Sequence, residues 1–198
     1  MKRVVLIFVL IVFLLVNNTI SFCKSTPLPQ NIANEQKIQK LYDEGYKYFR
    51  SQDYKRAIEK ENAVIKISPN HYMAYNVKGI ALCYQGSFKE GMKNIDKSLS
   101  IKPDYDYSRF NKALAYELYH YYEDALVWYN KALEIKKDVW SYYGIASIYG
   151  RRGEVSNTVK YLKLAKALMP GVMKYAKEEK DFDNVRNSKA FKALYSLQ

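Results

Sequence analysis

Cysteine and histidine are the scarcest chemistry-bearing residues in this chain. Its 198 residues hold two of each: Cys23 and Cys83, His71 and His120. Two cysteines cannot build a disulfide framework, and these four residues lack the close Cys/His spacing of a zinc site. Glycine and proline are also sparse, at 8 and 5. Sandwiches and barrels turn often and use both residues at their turns, so the scarcity favours helix. No G-x-x-x-x-G-K-[ST] or G-x-G-x-x-G phosphate loop occurs, and neither H-E-x-x-H nor G-x-S-x-G is present. Cys83 has no histidine within a helical turn to activate it. Adjacent carboxylates such as Glu123-Asp124 and Glu178-Glu179 diverge by about 100° on a helix and do not form an acid–base pair. His71 and His120 fall in turns and read as exposed. The sequence assigns no catalytic residue, metal or cofactor, and the reading is non-enzymatic.

Tyrosine (20), apolar residues (48%) and positive charge (formal net +12) are abundant. A chain this long and apolar can enclose one sizeable core. Met1-Lys2-Arg3 is a basic start, and Val4 to Val16 is an unbroken apolar run of 13 residues. A membrane span needs roughly 20 residues; the apolar region of a secretory leader needs about 7–15. Residues 1–23 are therefore expected to be a signal peptide, with the product periplasmic, anchored by lipid, or secreted. Cys23 follows the run and resembles the acylated cysteine of bacterial lipoproteins, although Phe22 is bulkier than that site uses. Cleavage after Ser21 or Ser25 by an ordinary signal peptidase fits equally well. An uncleaved anchor extended through Ile20 and Phe22 is the third reading. Residues 24–35, with Pro27 and Pro29, read as a tether.

From Glu35 the apolar residues recur at helical spacing. Tyr72 to Asp104 is the clearest stretch: two amphipathic helices with Pro69 before them and Pro103 closing them, 34 residues apart. Gly79 lies 34 residues after Gly45. The same pair of helices recurs over residues 38–71, 72–105, 106–138 and 139–172. A small residue sits mid-way along each first helix (Gly45, Gly79, Ala113, Ala146) and admits its partner helix closely. A large residue follows three positions later (Tyr48, Leu82, Tyr116, Tyr149). A second small residue (Ala57, Gly91, Ala125) is expected to admit the next unit. Proline after the second helix ends it. No pair buries both of its faces alone, so neighbours must stack.

The pattern resembles the tetratricopeptide repeat, with its W-x2-L-G-x2-Y…A-x3-F…P signature. It is carried by Leu41/Gly45/Tyr48/Ala57/Pro69, Tyr75/Gly79/Leu82/Pro103, Ala113/Tyr116/Ala125/Tyr129/Ala132 and Tyr142/Ala146/Tyr149/Ala165/Pro170. Glu61 stands where an aromatic is expected, Gly91 and Thr158 stand for alanine, and the third unit lacks its proline. The resemblance implies an all-α, right-handed solenoid of four helix–turn–helix repeats over residues 36–172. Residues 173–198 would form a helical cap, with Ser188 as the N-cap of a last helix.

The resemblance also implies a concave groove lined by the first helix of each unit. It would be formed by Tyr42, Tyr46 and Phe49; Met73, Asn76, Ile80 and Tyr84, with Cys83 on the wall beside them; Tyr107, Phe110, Asn111, Leu114 and Glu117; and Trp140, Tyr143, Ser147 and Arg151. That groove is expected to be aromatic with few charges, a composition suited to binding a peptide or helix of a partner protein. The family's chaperone-tail clamp uses lysine, asparagine and arginine at positions held here by Tyr42, Tyr46, Val77, Tyr107 and Asn111, so an acidic chaperone tail is not the expected ligand. Lysines 89, 93 and 97, and 160, 163 and 166, lie at helical steps on second helices and read as a solvated convex face. The alternative function uses that face to bind anionic lipid or envelope polymer. Nucleic acid conflicts with export, and the oligomeric state is open. Intact mass of the protein recovered from its own host tests the leader: cleavage near Ser21–Ser25 is expected, acylation at Cys23 would add lipid mass, and a full-length mass would overturn cleavage.

Overall fold

The computed structural model describes residues 30–196. The expected leader, Cys23 and most of the tether lie outside the described residues. Residues 30–35 of that tether are helical, because nothing after Pro29 breaks the helix that continues into the first repeat. Helix α1 spans Gln30–Arg50 and α2 Tyr54–Ile67; α3 spans Tyr72–Tyr84 and α4 Phe88–Ile101; α5 spans Asp106–Leu118 and α6 Tyr122–Ile135; α7 spans Val139–Arg151 and α8 Val155–Leu168. Helix α3 packs on α4, α5 on α6 and α7 on α8, α1 meets α2 where Glu61 faces Gly45 and Lys60 reaches Glu44, and the pairs stack into a solenoid with the tetratricopeptide-repeat fold. The described residues contain no strand.

The turns inside the repeats explain the scarcity of glycine. The chain reverses through a left-handed residue at equivalent positions: Gln52 (φ 62°), Gly86 (φ 88°), His120 (φ 64°) and Gly153 (φ 73°). Two repeats use glycine there, and the other two carry the strain of a side chain, of order 1 kcal/mol each. Three of the repeat helices, α2, α3 and α7, are capped at their starts by polar side chains. Asp53 accepts the Arg56 N–H (3.1 Å) and Asp138 accepts the Ser141 N–H (2.8 Å). His71, expected to be an exposed turn residue, is half-buried: its Nδ1 accepts the Ala74 N–H (3.1 Å) and its ring lies 5.3 Å from that of Tyr42.

Small residues set the helix separation. A Cβ on Gly79 would come within 2.8 Å of the Gly91 carbonyl oxygen, and one on Gly91 within 2.7 Å of the Gly79 carbonyl oxygen. Gly91 therefore admits the other helix of its own repeat, which corrects the expectation that it would admit the next unit. Cys83 packs its sulfur against Gly91 and is only 3% exposed. It is not on the groove wall, and burial pushes its thiol up to about 11. Repeats two and three are joined by a buried hydrogen bond between Ser98 Oγ and Ser108 Oγ (2.7 Å), and by Tyr119 donating to the Cys83 carbonyl (3.0 Å).

The C-terminal end is covered as a solenoid requires. The expected helix after Pro170 divides into a 3-10 turn at Pro170–Val172, α9 at Met173–Glu178 and a second turn at Lys180–Phe182. Helix α10 (Lys189–Ser196) follows, with Ser188 Oγ accepting the Phe191 N–H (3.2 Å). Val172, Phe182, Phe191 and Leu194 bury against Leu162 and Ala165. Lys166 is not a solvated charge: its Nζ donates to the Leu194 carbonyl (2.7 Å) and ties α8 to the cap.

Glu61 departs from the repeat pattern at the greatest cost. It is fully buried, both carboxylate oxygens lack hydrogen-bond partners, and Oε1 faces Gly45. Desolvation raises its pKa from 4.5 to about 9. The folded state thus keeps a proton that the unfolded chain releases near pH 4.5. Stability should fall by about 1.4 kcal/mol per pH unit between those two pKa values, and level off above the folded one. Glu61→Gln cannot ionise. Urea denaturation across about pH 5 to 9 should give a stability difference, variant minus wild type, that grows with pH. A constant difference would contradict the buried-acid assignment.

Candidate functional site

The odd helices line the concave side, and two adjoining basins open along it. The first, about 400 Å³, is bounded by Tyr42, Tyr46 and Phe49 from α1, Asn76, Val77 and Ile80 from α3, Asp106, Tyr107, Phe110 and Asn111 from α5, and Trp140 and Ser141 from α7. Tyr105, Ala132, Lys136 and Asp138 complete it from the neighbouring turns and α6. The second, about 550 Å³, shares Phe110 and Trp140 and adds Leu114, Glu117, Leu118, His120, Tyr129, Tyr143, Gly144, Ser147 and Arg151. Glu179 and Asp181, from the C-terminal cap, close its far side.

Aromatic rings make the walls. Tyr42, Tyr46 and Phe49 follow one another on α1 at centroid separations of 6.3 and 6.4 Å. Trp140 meets Tyr143 (5.9 Å) and Tyr175 (5.5 Å) edge to face. Tyr107, Tyr46 and Trp140 keep 56, 42 and 42% of their surface exposed, so they offer faces to a ligand instead of filling the core, whereas Tyr175 (57%) lies outside both basins. Other expected groove residues have different roles. Ile80 is fully buried and Asn76 nearly so; they form the floor, where Asn111 Nδ2 donates to Asn76 Oδ1 (3.1 Å). Met73 lies outside both basins. Tyr84 also lies outside them; one face stacks on Tyr54 of α2 in the preceding repeat (4.9 Å, 3°), and 39% of its surface stays exposed.

The second basin has a polar centre. Glu117 is 8% exposed and accepts from Tyr129 Oη (2.6 Å) and Ser147 Oγ (2.5 Å). Burial raises its pKa, and those hydrogen bonds, with Arg151 at 3.8 Å, work in the opposite direction. Arg151 also binds Asp181 (2.8 Å), and Asn184 donates to the Arg151 carbonyl (2.7 Å), so the cap is fixed to the end of α7. Tyr129 is fully buried, and burial drives its pKa upward. It reaches Glu117 across Gly144, where a Cβ would lie 2.6 Å from the tyrosine oxygen. The repeat period identifies Tyr129 only as a packing residue. Lys136 and Asp138 lie in the turn that closes repeat three, Glu179 and Asp181 lie in the cap beyond the repeats, and no sequence signal placed them in the groove.

A stack of helix pairs with a concave groove on its first helices defines a tetratricopeptide-type solenoid. Solved structures of that architecture resemble it. TTC0263, a thermophilic TPR protein in Thermus thermophilus, superposes with a TM-score of 0.64 at 16% identity, over 70% of this chain and 77% of that one. PilW, a widely conserved type IV pilus biogenesis factor, gives 0.60 at 18% identity over 81% and 79%. The TPR repeat-containing protein MJ1428 of Methanocaldococcus jannaschii is 27% identical over 140 residues, 67% of this chain. The matched part is 23% of that protein's own length, so the chain spans under a quarter of it. No protein-family model matches the sequence.

The Glu117 centre makes a testable coupling. Tyr129→Phe removes a donor from a buried carboxylate and should cost about 1–3 kcal/mol. Gly144→Ala displaces the same tyrosine and should cost about the same. Both act through one hydrogen bond, so a double-mutant cycle in urea should give a combined loss smaller than the sum. Strict additivity would contradict this geometry.

Proposed function

We propose that this chain is a non-catalytic adaptor whose concave groove docks a peptide or helix of a partner protein, and that it is exported to do so. The observation that carries the reading is the pair of adjoining basins. Their walls present exposed aromatic faces, and their polar floor is held by the Asn76–Asn111 and Glu117 hydrogen bonds. Rigid aromatic side chains offer large contact area at small entropic cost, and a pre-formed floor avoids reorganisation on binding. Support for export comes from the basic start and apolar run of residues 1–16, with Cys23 as the proposed acylation site if the leader is of the lipoprotein type. The likeness to PilW and TTC0263 supports the solenoid on which the reading rests, not a particular partner.

The test uses Tyr46→Ala and Trp140→Ala, both at exposed rings, with thermal unfolding to confirm that each variant folds. Pulldown from an envelope extract should lose the partner by about tenfold or more in each. Lys93→Glu and Lys97→Glu on the outer face should retain it. Retention by both groove variants, with loss in the lysine variants and binding to anionic vesicles that salt abolishes, would favour the convex-face alternative.

A further inference from the structure

The chain is strongly basic, but its groove carries the opposite charge. Asp106 and Asp138 line the first basin, and Glu117, Glu179 and Asp181 the second; only Lys136 and Arg151 oppose them. Arg151 is already held by Asp181 and Glu117. Asp138 is engaged in capping α7. Among the described residues, no cation pairs with the carboxylate of Asp106 or of the exposed Glu179, and Arg186 beside Glu179 donates to its backbone carbonyl (2.6 Å). These two carboxylates stand beside exposed aromatic faces, Tyr107 next to Asp106 and Trp140 in the same basin as Glu179. The outer surface has the reverse character, with Lys89, Lys93, Lys97, Lys160 and Lys163 exposed.

We infer that the groove's occupant is a cationic segment, an extended or helical peptide presenting lysine or arginine among apolar side chains. This deepens the adaptor reading and rests on it. A concave site with apolar walls and a surplus of one sign concentrates counter-charge. Ammonium and guanidinium groups also gain from lying over an aromatic face. The protein makes that contact within itself, where Lys112 and Lys131 lie over the Trp128 ring at 4.0 and 4.2 Å. An acidic segment would instead be repelled from the groove and drawn to the lysine-covered outer face.

The experiment selects displayed random peptides against the full chain and measures the winners by fluorescence anisotropy. Winners should favour lysine and arginine over aspartate and glutamate by at least about threefold relative to the starting library. Trp140→Ala should weaken them about tenfold. The double variant Asp106→Asn/Glu179→Gln should weaken them about 3- to 10-fold at low salt, a difference that largely closes in about 0.5 M salt. Groove-dependent winners that are neutral or acidic, or cationic winners indifferent to the double variant, would overturn the charge inference and leave the groove intact. Winners indifferent to Trp140→Ala, whatever their charge, would overturn the groove reading as well.

Discussion

The structure depends on how closely two helices can approach inside one repeat. At Gly79 and Gly91 the backbones nearly touch, and neither position has room for a methyl group. Close pairs of this kind stack, and stacking buries residues such as Ile80 and Ile145 against neighbouring repeats. It also fixes the groove. Where odd helices of successive repeats lie side by side, residues 34 or 35 apart become neighbours, as in the hydrogen bond between Asn76 and Asn111.

Each repeat meets the constraint differently, and its departures from the common pattern explain local features. Repeat one has Gly45, but sets a carboxyl group against it; Glu61 is buried without a partner and stays protonated over most of the pH range. In repeat four Gly144 acts between repeats instead: it admits Tyr129 from repeat three, which there holds Glu117. The first arrangement costs stability. The second also places a buried acid at the edge of the groove, where it orders Ser147 and Arg151.

Much of this was legible in the sequence because the repeat period constrains it. The helix pairs and their turns follow from a 34-residue spacing, and the face occupied by Tyr46, Phe110 and Trp140 follows from helical periodicity within each first helix. Features outside that spacing were not legible. Asp181 and Glu179 reach the second basin from a cap that follows no repeat, and Lys166 is drawn into that cap by a backbone carbonyl. Other errors came from direction within a turn of helix. Cys83 and Tyr84 are adjacent in sequence, yet one faces Gly91 and the other stacks on Tyr54, since neighbouring helical positions differ by about 100°. The acidic sign of the groove was likewise hidden by a net charge of +12, most of which lies elsewhere.

The central claim is that partner binding occurs on the concave face. Site-specific photo-crosslinking in the protein's own host tests it most directly, with a photoreactive phenylalanine placed either at Tyr107 in the groove or at Lys97 on the outer face. A discrete crosslinked product from position 107 that disappears with Trp140→Ala, and none from position 97, is the predicted result. The same product from position 97 and nothing from position 107 would contradict the account.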